Sequence, residues 1–129
     1  FHGRKRVLLF PHDQSRNLYR HPYTVASYVD INNPDYVRYP ALARVSGYET
    51  IIYPGDTLFM PSGYWHYIEY TDGGYSMALR SFGSLPARVR GIANIATHYV
   101  VDKGMNRIMG PSWRRMKEQM ADRRAAQVL

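Results

Sequence analysis

The chain has 129 residues, of which 45% are hydrophobic and 14% aromatic, with no cysteine and a formal net charge of +7. That length suits one domain with a modest core. The composition excludes a disordered chain, a disulfide framework and thiolate metal sites.

Cysteine-free chains fit a reducing compartment, and a cytoplasmic location is expected. No run of about 18 apolar residues occurs, so no helical membrane span is expected. "FHGRKRVLLFP" begins basic and turns apolar, but no small-residue cleavage site follows it, so it does not read as a signal peptide. The charge is uneven. Residues 1–83 carry eight Lys/Arg against seven Asp/Glu, and residues 84–129 carry nine against three. A basic excess of this kind reads either as a nucleic-acid surface or as a solvated helix face.

Taken in chain order, "KRVLLF" (5–10) is a short apolar run bounded by Gly3 and Pro11, and it predicts a buried strand. Residues 11–23 are turn-rich and polar. "ASYVDINNPDYVRYPAL" (26–42) holds several turn signals, and Asn33 before Pro34 is biased away from helix. This stretch is expected to wind around the outside of a sheet with a short helical turn or two.

"ETIIY", "TLFMP" and "YWHYIEY" then read as three strands separated by "PGD" and "SG" turns. "DGG" (72–74) suits a tight turn, and "YSMALRSF" (75–82) alternates as a further strand. Many short strands with Gly/Pro turns predict a mainly β sandwich or barrel.

After Gly83 the period becomes helical, with Val89, Ile92, Ile95/Ala96 and Tyr99/Val100 in step. Ser84 and Pro86 suit the helix start, and Gly104 is expected to end or kink it. Pro111 and Ser112 restart a helix whose predicted apolar stripe is Trp113, Met116 and Met120. The expected division is therefore 1–83 for the β part and 84–129 for a helical extension.

The residues most suggestive of chemistry surround His66, in "PGDTLFMPSGYWHYIEY" (54–70). A turn brings the chain back, and an aromatic pair precedes the imidazole on a strand. His66 is either a structural histidine or one arm of a metal site. Tyr64, Trp65 and Tyr67 are either sandwich core or the wall of a pocket.

Four stretches together resemble the JmjC-type, cupin-like branch of the Fe(II)/2-oxoglutarate oxygenases, and within it the asparaginyl hydroxylase type. They are "GRKRVLLFPHDQ" (3–14), "VDINNPDYVRYP" (29–40), "GYETIIYPGDTLFMPSGYWHYIE" (47–69) and "GGYSMALRSF" (73–82). They span about the first two-thirds of the chain, in family order. The resemblance implies a double-stranded β-helix (a cupin/JmjC-like jelly roll, here partial). It also implies Fe(II) held by an H-x-D/E motif and a late histidine, with 2-oxoglutarate as cosubstrate.

On that resemblance His66 matches the late histidine. Lys5 matches the lysine that pairs with the distal carboxylate of 2-oxoglutarate; such an anion would give a buried ammonium a physical reason to be there. The alternative for Lys5 is an ordinary basic residue at a strand edge. Arg80 stands where the family has an asparagine. It is a second anion-binding candidate, or else an ion-pair partner of Glu69 or Asp72 across the hairpin. Ser76 shares the strand face of Arg80 and is expected on the pocket wall.

One departure is plain: no H-x-D or H-x-E occurs anywhere in the sequence, and neither His2 nor "HDQ" (12–14) supplies it. Either further ligands lie outside these residues or the triad cannot form. These 129 residues are therefore not expected to close a barrel by themselves.

The resemblance implies hydroxylation of a protein side chain or a small molecule. The rival reading is a metal-free cupin-like module that holds a small anion on Lys5 or Arg80. Nucleic-acid binding ranks last, because the aromatics of 53–70 lie away from the basic residues of 84–129. The apolar helical stripe predicts a homodimer through residues 84–129.

Overall fold

The computed structural model describes residues 3–81 and 83–129, apart from the Ala87 side chain; Phe1, His2 and Phe82 lie outside the described residues. The chain forms two compact units. One comprises Phe1–Ser15 and Val45–Arg80, the other Arg16–Arg44 and Ser81–Leu129.

The first unit is built on a three-stranded antiparallel sheet. Its strands are β1 (Lys5–Phe10), β2 (Tyr48–Ile52) and β3 (Trp65–Tyr70), in the order β2-β1-β3. β1 is the most apolar of the three and takes the central place, where both of its edges pair. Val7, Leu8 and Leu9 are all buried. Burying consecutive residues means that both faces of β1 are covered, as a continuous apolar run demands.

Two glycines permit close approach around this strand. A Cβ at Gly3 would stand 2.9 Å from the Gly73 carbonyl oxygen. A Cβ at Gly47 would stand 2.6 Å from the Leu9 carbonyl oxygen and closer still to the Phe10 ring.

The "PGD" turn forms as read. The Asp56 amide donates to the Tyr53 carbonyl at 3.0 Å, and the Asp56 carboxylate accepts from the Tyr53 amide at 2.8 Å. The "SG" turn closes with Tyr64 donating to the Pro61 carbonyl at 3.3 Å, Gly63 having φ +84°.

The strands expected at 57–61 and 75–82 are not found among the described residues, and Phe82 of the latter lies outside them. Both runs have the composition of strands but no ladder partner here. A strand needs a paired backbone as well as a pattern. The described residues consequently hold more helix than strand, and the "mainly β" expectation is corrected to a small sheet followed by helices.

The second unit joins residues 16–44 to the C-terminal helices, so the stretch expected to wind around a sheet groups with helices instead. Asp30 accepts from the amides of Asn32 and Asn33, and Asp35 from those of Val37 and Arg38; these side-chain bonds define the turns. A 3-10 turn follows at Pro40–Arg44.

The helices are α1 (Leu85–Thr97), α2 (Lys103–Met109) and α3 (Pro111–Ala126), with a π-helical segment at His98–Asp102 between the first two. Gly104 lies inside α2 and does not end it; Gly110, with φ +51°, makes the break before Pro111. Only residues tolerant of positive φ pass that point cheaply.

The buried face of α3 is Trp113, Lys117, Ala121 and Ala125, four residues apart in each step. The predicted stripe of Trp113, Met116 and Met120 is corrected accordingly. Leu18, Tyr19, Ala41 and Leu42 are the other buried apolar residues of this unit among those described.

Lys117 is buried because Asp102 meets it. Its Nζ donates to Asp102 Oδ1 at 2.5 Å, and Trp113 Nε1 donates to the same oxygen at 2.9 Å. His98 Nδ1 lies 3.5 Å from Asp102 Oδ2, within ion-pair reach but without hydrogen-bond geometry.

Candidate functional site

The ladder register decides which side chains meet. On β1 and β3 the opposed pairs are Lys5–Tyr70, Val7–Ile68 and Leu9–His66; between β1 and β2 they are Lys5–Ile52, Val7–Thr50 and Leu9–Tyr48. Directly opposed residues share a sheet face. Lys5 and His66 therefore stand on one face, with Val7, Leu9, Thr50, Ile52, Ile68 and Tyr70. Leu9, opposite His66, is four residues from Lys5, a separation of about 13 Å along the strand at roughly 3.3 Å per residue.

Lys5 is only 3% exposed. Its Nζ donates to Ser76 Oγ at 2.5 Å and lies 4.3 Å from the centroid of the Tyr70 ring. The Ser76 hydroxyl and the Tyr70 ring are two of the groups around this buried ammonium, and burial strengthens any electrostatic attraction it makes. His66 is exposed and stands at the opposite end of this face from Lys5, on an outer strand.

The opposite face has a different character. Arg6 bridges the two outer strands, 2.6 Å from Glu49 and 3.4 Å from Glu69. The hydrogen bond from Arg6 holds the Glu49 carboxyl below its usual range. Trp65 and Tyr67 belong to this face, by the same parity that puts His66 on the other. Trp65 Nε1 donates to Ser15 Oγ at 2.8 Å. Tyr64 precedes the strand, in the turn.

Of the side chains expected together, Lys5 and Ser76 are in contact, His66 shares the sheet face of Lys5 but stands at the other end of it, and Trp65 and Tyr67 lie on the opposite face.

Arg80 is exposed, in a stretch without regular structure. The carboxylates named as its possible ion-pair partners are engaged elsewhere: Asp72 lies 2.7 Å from Arg4, and Glu69 pairs with Arg6. The Arg4 hydrogen bond keeps the Asp72 carboxyl below its usual range.

Tyr70 was missed in the sequence reading. It carries the same parity as His66, four residues on, but its pairing with Lys5 depends on register and is invisible before the strands are aligned.

Fe(II) asks for several ligands, and the described residues include no group of three or more His, Asp or Glu side chains that could hold a metal ion. His66 alone does not make a metal site, and no reaction step is assigned to a metal here. No helix among the described residues is long and apolar enough to cross a membrane.

Comparison with known proteins places these observations. The chain is 43% identical over 75 residues to the HSPB1-associated protein 1 homolog of Danio rerio, covering 54% of this chain and 17% of that protein. It is 33% identical over 79 residues to lysine-specific demethylase 8 of Danio rerio, covering 59% of this chain and 20% of that one. JmjC domain-containing protein D of Dictyostelium discoideum is likewise 33% identical over 79 residues, covering 58% and 18%. The chain thus spans a fifth or less of the length of these curated relatives. Residues 1–82 match the profile of the cupin-like domain, which takes in all three strands, Lys5, His66 and Ser76. The chain belongs to the cupin-like domain family, in company with JmjC-type relatives.

Proposed function

We propose that this chain is part of a JmjC/cupin-like 2-oxoglutarate-dependent oxygenase, and that its sheet supplies the cosubstrate-binding lysine and one metal ligand. The observation that carries this reading is the register that puts Lys5 and His66 on one sheet face, with Lys5 buried. In this reading the three strands are part of a double-stranded β-helix. Lys5, braced by Ser76, takes the far carboxylate of 2-oxoglutarate, and that contact orients the 2-oxo end toward His66.

His66 would be one ligand of Fe(II), with the remaining ligands outside residues 1–129. Arg80 is the second candidate for anion binding. The substrate is a protein side chain or a small molecule that becomes hydroxylated, and the expected setting is the cytoplasm. The test is 2-oxoglutarate-dependent succinate formation by the full-length protein. It should vanish in His66→Ala and require much more 2-oxoglutarate in Lys5→Ala. Wild-type-like turnover in both variants would overturn the reading.

We further propose a homodimer through residues 84–129. Leu85, Val89, Ile92, Ile95, Tyr99 and Val100 are all exposed, and they recur at helical spacing on α1 and the segment after it. An unpartnered apolar face of this width favours a second copy, paired isologously. Light scattering should give twice the monomer mass, falling to one on Ile92→Glu. A dimer that survives this change would refute the assignment.

A further inference from the structure

Tyr70 has no part in the reading above, yet its ring is in contact with the Lys5 ammonium. The contact is fixed by register: Lys5 and Tyr70 are directly opposed on β1 and β3. A one-residue slip would send the ring to the other face. Lys5 is 3% exposed and Tyr70 is 57% exposed, so the lysine lies beneath a ring that itself faces solvent. The Nζ is 4.3 Å from the ring centroid and 2.5 Å from Ser76 Oγ.

From this geometry we infer that Tyr70 is a positioning residue for the dicarboxylate site: its ring and the Ser76 hydroxyl fix the Lys5 ammonium, and so set the preference for a ligand with a second carboxylate. The inference rests on the reading of Lys5 as the cosubstrate lysine. A lysine stem has four rotatable bonds, and its charge is of use only when held in one place. The ring face attracts the cation, and the strength of such contacts depends on how far water is excluded. Burial of Lys5 puts this contact toward the stronger end. The phenolic oxygen is not needed for it, so phenylalanine should replace tyrosine and leucine should not.

The experiment measures binding of 2-oxoglutarate and of 2-oxobutyrate to the full-length protein, anaerobically and by calorimetry. 2-Oxobutyrate keeps the 2-oxo acid end and lacks the far carboxylate. The ratio of the two affinities reports the Lys5 contact alone, because a general loss of folding weakens both ligands together.

In the wild type the ratio should strongly favour 2-oxoglutarate, and Lys5→Ala should bring it near one. Tyr70→Leu should lower the ratio about three- to thirty-fold, and Tyr70→Phe should leave it as in the wild type. A wild-type ratio near one would defeat the underlying reading of Lys5. A large wild-type ratio that collapses in Lys5→Ala and is unchanged in Tyr70→Leu would overturn the role of Tyr70 alone. A fall in Tyr70→Phe equal to that in Tyr70→Leu would also overturn it, since the ring would then not be the active part.

Discussion

Removal of the Asp102 carboxylate should be among the most damaging single changes in the helical unit. Asp102 Oδ1 accepts from Lys117 Nζ at 2.5 Å and from Trp113 Nε1 at 2.9 Å, and all three residues are buried. In Asp102→Ala the ammonium of Lys117 stays buried with its carboxylate gone. Breaking one side of such a pair costs about 3–5 kcal/mol. With a urea slope of about 1–3 kcal/mol per molar, the midpoint should fall by roughly 1–5 M. The assay is urea unfolding followed by the helical circular dichroism of α1–α3.

The double variant Asp102→Ala/Lys117→Met separates the buried charge from the lost contact. It removes both ions and fills the space with an apolar chain, and such exchanges are often neutral or better. It should therefore regain most of the lost stability. A cost below about 1 kcal/mol for Asp102→Ala would refute the argument, because it is what a solvated surface pair gives. A double variant no more stable than the single would refute it equally.

Other expectations follow from single features. His21 is 5% exposed with Nδ1 unpaired, and burial, reinforced by the nearby Lys117 charge, lowers its pKa. The unfolded chain then binds a proton that the folded chain resists, so stability should decline as pH falls below about 6.5; a His21→Phe variant in which this part of the pH profile persists would contradict the assignment. Burial alone would raise the Asp102 pKa, but hydrogen bonds from Lys117 and Trp113 outweigh it and hold the carboxyl low. A further loss should therefore begin as pH drops below about 3.9 and continue through the folded-state value. It should be absent in the Asp102→Ala/Lys117→Met double variant. Gly47→Ala should destabilise the sheet unit by about 1–3 kcal/mol, since the new methyl meets the Leu9 carbonyl oxygen as well as the Phe10 ring; a melting temperature equal to wild type would show that the loop shifts freely. Arg80→Ala should raise the 2-oxoglutarate concentration needed for half-saturation less than Lys5→Ala does, because Arg80 is exposed and Lys5 buried; the reverse order would make Arg80 the principal anion ligand.

Local pattern made β1, β2 and β3 legible in the sequence, because "KRVLLF", "ETIIY" and "YWHYIEY" carry apolar or alternating runs between turn residues that form as expected. The same rules placed strands at 57–61 and 75–82, where none is found among the described residues. Pattern reports a residue's readiness to pair, and pairing needs a neighbouring strand. The helix starts at Ser84–Pro86 and Pro111 were legible from their end signals, although Ser84 makes no side-chain cap. The buried face of α3 was not legible, since periodicity counts apolar residues and Lys117 is charged. Its burial depends on Asp102, fifteen residues away and in another element.

At the candidate site, Lys5, Ser76 and His66 stood out in the sequence as residues. That Lys5 and His66 share a face was not legible, nor was the separation of Trp65 and Tyr67 from that face, because both depend on a register that no single strand contains.

The most direct test of the account is an anaerobic titration of the full-length protein with Fe(II) and 2-oxoglutarate, watching for the weak visible metal-to-ligand charge-transfer band. The account predicts a band that His66→Ala abolishes and that in Lys5→Ala appears only at much higher 2-oxoglutarate. A folded protein that shows no band would contradict it and leave a cupin-like module whose Lys5 holds some other anion, and a band indifferent to His66→Ala would contradict the place given to His66.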